Sequence, residues 1–448
     1  MKSKKLVIKD GNIIDPSSRI NCIGDVIIEN NLIIDVIPNS NQTYSDEYEI
    51  VNAKNMIVSP GFIDVHTHLR DPGQEWKETI STGSKSAAKG GFTTITSMPN
   101  TIPVLDNANI VNDLVNRSKI DSIIRILPIG SITIAQKGVT LSPMNELAEA
   151  GVIGFSDDGN PVSDPNIMKQ ALTYSLDLNL PIINHAEDKK IVGKGLMNEG
   201  IVSNRLGLFG ADSSAETVMI ARDLILAENT GAQLHIPHIS SSSSLDLLKI
   251  YKNMEVNVTA EVTPHHLTLN ENWVYGKKGE VPDYIDEDSY DTNAKVNPPL
   301  RAISDVNDMV QGLSDGVIDI IATDHAPHSD IEKQCSFADA AHGINVLETA
   351  FSSVFDLYLN KSISMDRIIE SLTSRPAEIF KLNKVGRLKK GYYADVVVID
   401  PKAKWKVEQN KFVSKSSNTP LLETDMNSKI LITIYDGKII YKDGNFNE

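Results

Sequence analysis

Short hydrophobic runs alternate with longer amphipathic segments through the middle of the chain. Residues 75–91, 142–151 and 214–231 show the spacing of polar and apolar positions that is typical of helices, and the last two segments end on glycine, as helices often do. The hydrophobic runs are six to eight residues long, which is typical of buried strands. They predict eight strands, at residues 61–66, 92–98, 123–129, 151–157, 180–185, 232–238, 255–262 and 317–323.

Eight strands that alternate with helices are the number needed for a parallel (β/α)8 barrel, and we expect an α/β fold with this TIM-like barrel at residues 61–385. The two ends of the chain differ from the middle, since both carry short apolar strands separated by turn residues such as Asp-Gly. We expect residues 1–60 and 386–448 to combine into one small β-sandwich domain beside the barrel.

Two segments interrupt this rhythm. Residues 276–292 are polar and acidic, and we favour a solvated surface insertion over a lid that closes on a site. The serine run at residues 240–244 is expected to cap or precede a helix, because serine supports helix N-termini.

Composition limits the classes of function. The 448 residues are 41% hydrophobic, enough for a large core, and the formal charge of −16 disfavours binding to nucleic acid or to an anionic membrane. Cys22 and Cys335 are far apart in sequence and predict neither a disulfide framework nor a zinc knuckle. The N-terminus does not resemble a signal peptide and no apolar run reaches the roughly 18 residues of a membrane span, so we expect a cytoplasmic protein.

The first predicted strand ends on two histidines. Alternation in a strand places Asp64, His66, His68 and Arg70 on one side while the extended geometry lasts, so both imidazoles can share a metal. Taken alone, this His-x-His pair is equally compatible with two polar residues near a strand end.

Polar residues recur at the ends of the other predicted strands, and this shifts the interpretation toward a metal. Such residues are Asp157, Asp158, His185, His238, Asp324 and His328. In a barrel they would meet at one mouth, where nitrogen and oxygen ligands suit one or two divalent ions. Strand parity does not choose between Asp157 and Asp158.

The remaining histidines fit this site less well. We expect His235, His266 and His325 to pack against or support the ligands, while His265 is ambiguous. Asp64 is a candidate to orient a metal-bound imidazole.

Eight segments of the chain resemble the dihydroorotases of the amidohydrolase superfamily, of the longer type with a two-metal site. In order, they are "GFIDVHTHLRDPG", "GGFTTITSMPNT", "GFSDDG", "INHAED", "PHIS", "EVTPHHL", "NPPLR" and "IATDHAPH". The resemblance extends over essentially the whole chain, including "GYYADVVVID" near the C-terminus. It implies two zinc ions per chain, bridged by Asp158 and a hydroxide. It assigns the first zinc to His66, His68 and Asp324, and the second to His185 and His238.

The resemblance also implies a substrate and its contacts. The family interconverts dihydroorotate and N-carbamoyl-L-aspartate in pyrimidine biosynthesis, and the matching substrate contacts are His68, Arg70, Asn100, Asn297, His328, His342 and Gly343. Arg70 can grip a carboxylate with two hydrogen bonds, which gives an acidic protein a local cation for an anionic substrate. His342 departs from the apolar or aromatic residue that is usual in the family, which leaves its effect on substrate fit open.

Asp324 is expected to serve both as a ligand and as the proton carrier between the attacking hydroxide and the ring nitrogen. The alternatives are another cyclic-amide hydrolase, acting on hydantoins, dihydropyrimidines or allantoin, and a non-catalytic homologue that acts as a scaffold for aspartate transcarbamoylase. The hydantoinase relatives resemble this chain but carry a carboxylated lysine as the bridge, where "FSDDG" has none. We expect a homodimer, with association with aspartate transcarbamoylase as a further option.

Overall fold

The computed structural model describes residues 5–286 and 288–447, which form a mixed α/β protein. All eight strands predicted for the middle of the chain are present, although each is shorter than its hydrophobic run. They are Phe62–Asp64, Phe92–Ser97, Arg125–Pro128, Phe155–Ser156, Ile182–Ile183, Leu234–Ile236, Val258–Val262 and Ile320–Ile321.

These eight strands pair in parallel in the order of the chain. The first three form one sheet and the last five form another. Parallel bridges join Gly130 to Phe155 and Thr67 to His325, so contacts connect the two sheets at both sides. The carboxyl ends of neighbouring strands consequently lie at the same edge, where polar residues that follow the strands can meet.

Helices connect the strands, and the three that the sequence predicts are confirmed. Ser241 accepts a hydrogen bond from the Ser244 amide and caps a further helix, as expected of the serine run. The helices are Ile80–Lys89, Ala108–Asp121, Met144–Glu149, Pro165–Leu178, Lys189–Val192, Ile201–Leu206, Ser214–Thr230, Ser242–Asn253, Pro264–Thr268, Ile303–Ser314, Asp330–Lys333, Ala350–Leu359, Met365–Leu372 and Ser374–Ile379. Short 3-10 turns occupy Pro16–Ser18, Ile134–Gln136, Glu271–Tyr275, Thr292–Ala294 and Gln409–Lys411.

Both ends of the chain contribute to one further sheet, hereafter the terminal sheet. Its central contact is antiparallel, between a strand from the N-terminal part and one from the C-terminal part. In the described residues its strands are Lys5–Asp15, Ile20–Glu29, Leu32–Pro38, Tyr48–Asn52, Ile57–Pro60, Val396–Lys406, Asp425–Tyr435, Lys438–Lys442 and Asn445–Phe446. Two short strands, Met197–Asn198 and Gly210–Ala211, pair separately.

Arg125 ties the middle of the chain to the terminal sheet. Its guanidinium donates to Asp395 at 2.8 Å and stacks between the rings of Tyr393 and Tyr435, 5.3 and 5.2 Å from their centroids. A planar guanidinium can form an ion pair and cation–π contacts at once, which suits this half-buried contact.

All described residues of the segment 276–292 except Ser289 are exposed or half-buried, and these residues contain no regular strand or α-helix before Thr292. Lys277 forms ion pairs with Asp286 and Asp288, at 3.1 and 3.0 Å. The expectation of a surface segment is therefore met. Among the residues that the structure describes, none belongs to a helix long and apolar enough to cross a membrane.

Candidate active site

Four buried imidazoles and two buried carboxylates meet at the carboxyl ends of the parallel strands. Asp158 lies at their centre. Its Oδ1 is 3.5 Å from His66 Nε2, 3.3 Å from His185 Nδ1 and 3.5 Å from His238 Nε2, while its Oδ2 is 3.3 Å from His68 Nε2. Chain segments far apart in sequence thus bring the predicted ligands together.

The donor set fits metal binding. Two groups, His66–His68–Asp158 and Asp158–His185–His238, each place three ligand atoms within 4.8 Å of one another, and they share Asp158. His66 Nε2 is buried without a hydrogen-bond partner among the described residues, and it points at this cluster. Buried polar atoms are normally satisfied, so an unpaired imidazole nitrogen beside two carboxylates indicates a cation site.

Asp324 completes the cluster. Its Oδ1 is 3.0 Å from His68 Nε2 and 3.5 Å from His66 Nε2. Burial opposes the charged form of Asp324, but the positive field of His66 and the hydrogen bond with His68 outweigh burial and hold the pKa of this carboxyl well below its ordinary value. The Asp324 carboxylate is therefore ionised and able to ligate a cation.

Asp157 and Asp158 have different surroundings. The Asp157 carboxylate accepts hydrogen bonds from the amides of Ile132 and Thr133, at 2.8 and 3.0 Å, and from the Thr133 hydroxyl. Burial raises the pKa of Asp157 to about 6. Asp157 thus holds the loop after the third strand of the middle, and Asp158 is the aspartate that lies among the imidazoles.

Glu261 supports the site, although the sequence analysis did not select it. The Glu261 carboxylate bonds to His66 Nδ1 and lies 3.0 Å from His235 Nε2. It is fully buried, and burial favours its neutral form; the field of His66 nevertheless lowers the pKa of Glu261 to about 2. A carboxylate on Nδ1 orients the ring so that Nε2 faces the cluster. The sequence feature that could have identified Glu261 is a single acidic residue within the largely apolar strand Val258–Val262.

Asp64 does not orient an imidazole ring, which differs from the expectation. Its carboxylate accepts hydrogen bonds from the backbone amides of Thr323 and His66, at 3.0 and 3.1 Å, and from the Thr323 hydroxyl. It therefore joins the backbones of the first and last strands of the middle. The ring of His66 takes its partner from Glu261.

The cluster opens into a cavity of about 270 Å³, hereafter the metal-site cavity. All seven predicted substrate contacts line it together with three of the predicted ligands. The predicted substrate contacts are His68, Arg70, Asn100, Asn297, His328, His342 and Gly343. The predicted metal ligands are Asp158, His185 and Asp324, and His68 is predicted to serve in both roles. His66 and His238 are buried and are not among the lining residues.

Arg70 lies at the wall of this cavity. Its Nε donates to the Pro327 carbonyl oxygen at 3.2 Å, and its Nη2 is 3.3 Å from His328 Nε2. Burial lowers the pKa of Arg70 to about 10 against the opposing field of Asp324 and Asp158, so the guanidinium remains charged near neutral pH. The backbone φ of Arg70 is 62°, and it reaches the cavity by this left-handed turn and not by continued strand alternation.

The two asparagines contact two of the predicted ligand histidines. Asn100 Oδ1 is 2.9 Å from His68 Nδ1 and accepts a hydrogen bond from the Nδ1–H of the neutral ring. In this tautomer Nε2 carries no proton and can bind a cation. Asn297 Nδ2 donates to Glu187 Oε1 at 2.9 Å and lies 3.2 Å from His185 Nε2.

Position 343 requires glycine. Its φ is 145°, and a Cβ there would lie 2.7 Å from Ala326 Cβ and 2.8 Å from the Ala326 oxygen. Asn418 Nδ2 donates to the carbonyl oxygens of Ala326 and Gly343, at 3.1 and 3.0 Å, and so fixes this wall of the cavity. The sequence analysis did not select Asn418. The neighbouring His342 is exposed, and its carbonyl oxygen is 2.9 Å from His328 Nε2.

Three other histidines are not members of the cluster. His266 bonds to the Thr263 hydroxyl and to the Pro298 carbonyl oxygen, at 2.8 and 3.0 Å. The His325 ring lies 3.5 Å from Glu78. His265 is buried, and neither of its ring nitrogens has a hydrogen-bond partner among the described residues.

The chain matches known families and proteins along most of its length. A family described as dihydro-orotase-like matches residues 55–244, and the amidohydrolase family matches residues 280–441. Curated dihydroorotases of Geobacter sp. (strain M21) and of Aquifex aeolicus are each 42% identical over 439 residues, 98% of this chain and 100% of theirs.

Solved structures agree in fold. The L-hydantoinase (dihydropyrimidinase) of Arthrobacter aurescens superposes with a TM-score of 0.86, 19% identity, and coverage of 99% of this chain and 97% of its own. A D-hydantoinase of Thermus sp. gives a TM-score of 0.82 with 22% identity, over 99% of this chain and 96% of its own.

The fold and the buried histidine and aspartate cluster define an amidohydrolase, a hydrolase that acts on carbon–nitrogen bonds in cyclic amides. Within that class, the full-length identity of 42% decides the assignment, and the chain belongs to the dihydroorotase family.

Proposed function

We propose that this chain catalyses the reversible cyclisation of N-carbamoyl-L-aspartate to (S)-dihydroorotate and water in pyrimidine biosynthesis. The observation that carries this proposal is the cationic Arg70 on the wall of a cavity whose floor is the histidine and aspartate cluster. A carboxylated ring needs both features, since its carboxylate needs a cation and its amide needs activation. The full-length identity with curated dihydroorotases supports the same reaction.

We further propose that the eight parallel strands close into a (β/α)8 barrel over residues 61–385. The bridges that join the two parallel sheets at both sides support closure. Residues 1–60 and 386–448 would then form the small β-sandwich domain, and the terminal sheet, which draws strands from both ends, supports this division.

Two zinc ions are the cofactors that we propose. His66, His68 and Asp324 would hold one ion, His185 and His238 the other, and Asp158 both. The two overlapping groups of ligand atoms that share Asp158 support this count, and imidazole and carboxylate donors suit zinc. Such ions, when bound, lower the pKa of water toward 7 and polarise a carbonyl group.

Asp324 is the residue that we place at proton transfer. In ring opening, its carboxylate would accept the proton that water loses as the water oxygen attacks the ring carbonyl carbon. It would then give that proton to the ring nitrogen as the carbon–nitrogen bond breaks. Ring closure follows the same steps in reverse. Its position at 3.0 Å from His68 Nε2, facing the cavity, supports this role.

The substrate would be oriented by the cavity wall. Arg70 and His328 would bind its carboxylate, with Asn100 beside them, and Asn297 would meet the amide edge of the ring. Backbone groups at His342 and Gly343 would contact the ring from the opposite wall.

Another cyclic-amide hydrolase is the second candidate, because the solved structures with the same fold are hydantoinases. Asp158, at the position where those relatives are expected to carry a lysine, favours dihydroorotate. A non-catalytic scaffold for aspartate transcarbamoylase is disfavoured by the complete set of metal-ligating side chains in the cluster.

Metal analysis of the purified protein, paired with turnover assays on dihydroorotate, hydantoin and allantoin, tests the proposal. We expect about two zinc ions per chain and turnover of dihydroorotate above the other two substrates. A zinc-loaded protein that prefers hydantoin or allantoin would move the assignment to the second candidate. A homodimer, association with aspartate transcarbamoylase and a cytoplasmic location remain predictions.

A further inference from the structure

A second cavity, of about 280 Å³, lies between the helix Ile80–Lys89 and the terminal sheet. Among the described residues, none lines both this cavity and the metal-site cavity. Four of its lining residues are lysines, and we call it the lysine cavity: Lys89, Lys406, Lys411 and Lys429. The protein has a formal charge of −16, so a cavity lined by four cations is opposite in sign to the net charge of the protein.

The only carboxylate that lines the lysine cavity is already neutralised within the described structure. Glu348 Oε2 lies 2.7 Å from Lys89 Nζ, and its side chain is only 2% exposed. Glu348 Oε1 accepts the amide protons of Val413 and Ser414, at 2.8 and 3.0 Å. Its negative charge is therefore compensated, and it does not cancel the field of the three remaining lysines.

Those three lysines are available to an anion. Lys411 pairs with Glu408 at 2.6 Å and Lys406 with Glu423 at 3.3 Å, but both pairs are solvent-exposed, and such pairs contribute little and exchange partners easily. Lys429 has no ion pair within the part of the chain that the structure describes.

Aromatic side chains form part of the same lining. Phe351, Trp405 and Tyr441 line the cavity, and Phe351 and Tyr441 are buried. The indole N–H of Trp405 donates to the Ser428 carbonyl oxygen at 2.8 Å, which holds the ring in place. An aromatic ring held in this way offers a face on which a flat ligand ring can stack.

We propose that the lysine cavity binds a nucleoside monophosphate. Its phosphate would be bound by Lys406, Lys411 and Lys429, and its base would pack against Trp405. The volume of about 280 Å³ is just below the usual range for small-molecule sites, which fits one nucleotide and no longer chain. The inference is independent of the proposed reaction, because it uses none of the residues of the metal-site cavity.

Titration calorimetry of the full-length protein with AMP and with UMP tests this site. We expect saturable binding of at least one of them, with one nucleotide per chain. The double variant Lys406→Ala/Lys429→Ala should weaken it about tenfold or more, because two charge-assisted contacts to phosphate are lost. The matched control is Lys402→Ala/Lys404→Ala, which removes the same charge from exposed positions on the same strand outside the cavity and should leave the affinity unchanged.

Three outcomes would overturn the proposal. The first is that neither nucleotide binds saturably to the unmodified protein at millimolar concentration. The second is that both double variants bind equally well, or that saturating dihydroorotate displaces the nucleotide, which would place binding elsewhere. The third is that inorganic phosphate binds as tightly as AMP and UMP, which would exclude recognition of the base. Circular dichroism of each variant checks that the fold is retained.

Discussion

The metal-site cavity and the lysine cavity have nearly the same volume, about 270 and 280 Å³, but they hold their charged groups in different surroundings. In the metal-site cavity, Asp158, Asp324 and Arg70 are buried, and each lies beside other polar or charged groups. In the lysine cavity, Lys406 and Lys429 are exposed to solvent.

This difference has an energetic consequence. Removing one member of a buried charged cluster leaves its partners unpaired in a medium of low dielectric constant, whereas removing an exposed lysine leaves groups that water can solvate. Substitutions in the metal-site cavity should therefore have large effects on metal content, turnover or stability. Substitution of Lys406 or Lys429 in the lysine cavity should change only what that cavity binds.

The largest expected effect comes from Asp324→Asn. Asparagine retains the shape but cannot carry the proton, so turnover of dihydroorotate should fall by about a thousandfold or more, with much of the metal retained. Turnover and metal content of the same preparation are the measurements. Asp308→Asn, the same change at an exposed helical position, should leave both unchanged. Near-normal turnover of Asp324→Asn would exclude the role in proton transfer.

Variants of the two adjacent aspartates should distinguish an effect on metal binding from an effect on loop stability. Asp158→Asn should lower the metal content by at least about one ion per chain, since Asp158 lies in both groups of ligand atoms. Asp157→Asn should keep the metal but lower the melting temperature, because its carboxylate accepts hydrogen bonds from Ile132 and Thr133. Metal analysis and thermal unfolding of both variants test this pair. Equal metal loss in the two variants would contradict the distinction.

Arg70→Lys should have a smaller effect, confined to binding. Lysine keeps the charge but cannot form a two-pronged hydrogen bond, so the KM for dihydroorotate should rise about tenfold with a smaller change in kcat. Arg387→Lys, at a surface arginine paired with Glu378, is the control. An unchanged KM would remove Arg70 as the carboxylate contact.

The last effect is on stability alone and concerns the buried cation Lys333. Its ammonium donates to the carbonyl oxygens of Thr292 and Ala341, at 3.0 and 2.7 Å, and burial lowers its pKa from 10.5 to about 7. Between pH 7 and pH 10.5 the unfolded chain consequently binds more protons at Lys333 than the folded chain. The contribution of Lys333 to the free energy of unfolding should therefore rise with pH in this window, by at most about 1.4 kcal/mol per pH unit.

Urea unfolding at pH 7, 8 and 9 measures this slope. Lys333→Met lacks the titration, so the unmodified protein should gain stability relative to this variant as the pH rises. Lys404→Met, at an exposed position, should follow the unmodified protein. Parallel pH profiles for Lys333→Met and the unmodified protein would show that Lys333 keeps its ordinary pKa.

Some features could be predicted because they depend on local pattern. The eight strands of the middle follow from hydrophobic runs of strand length, and helix ends such as the one at Gly231 follow from residue preferences. His185 and His238 could be selected as candidate ligands because each follows a predicted strand, and parallel strands end at one edge. These predictions need no knowledge of which distant segments touch.

Other features depended on contacts between distant segments. Glu261 resembles any buried acid in a strand until His66, 195 positions away in sequence, is found on its carboxylate. Arg70 reaches the cavity through a left-handed backbone conformation, which alternation in a strand does not predict.

The sequence by itself determined the order of the strands and the types of residue at their ends, because both follow from the short-range pattern of apolar and polar residues. Strand alternation did not distinguish Asp157 from Asp158, and the tertiary structure shows that Asp158 lies among the imidazoles. Only the tertiary structure decided that four lysines from three segments of the chain line one cavity. The physical reason is that beyond the end of a strand, the direction of a side chain is set by its hydrogen-bond partners in other segments. The position of those partners is a property of the folded chain.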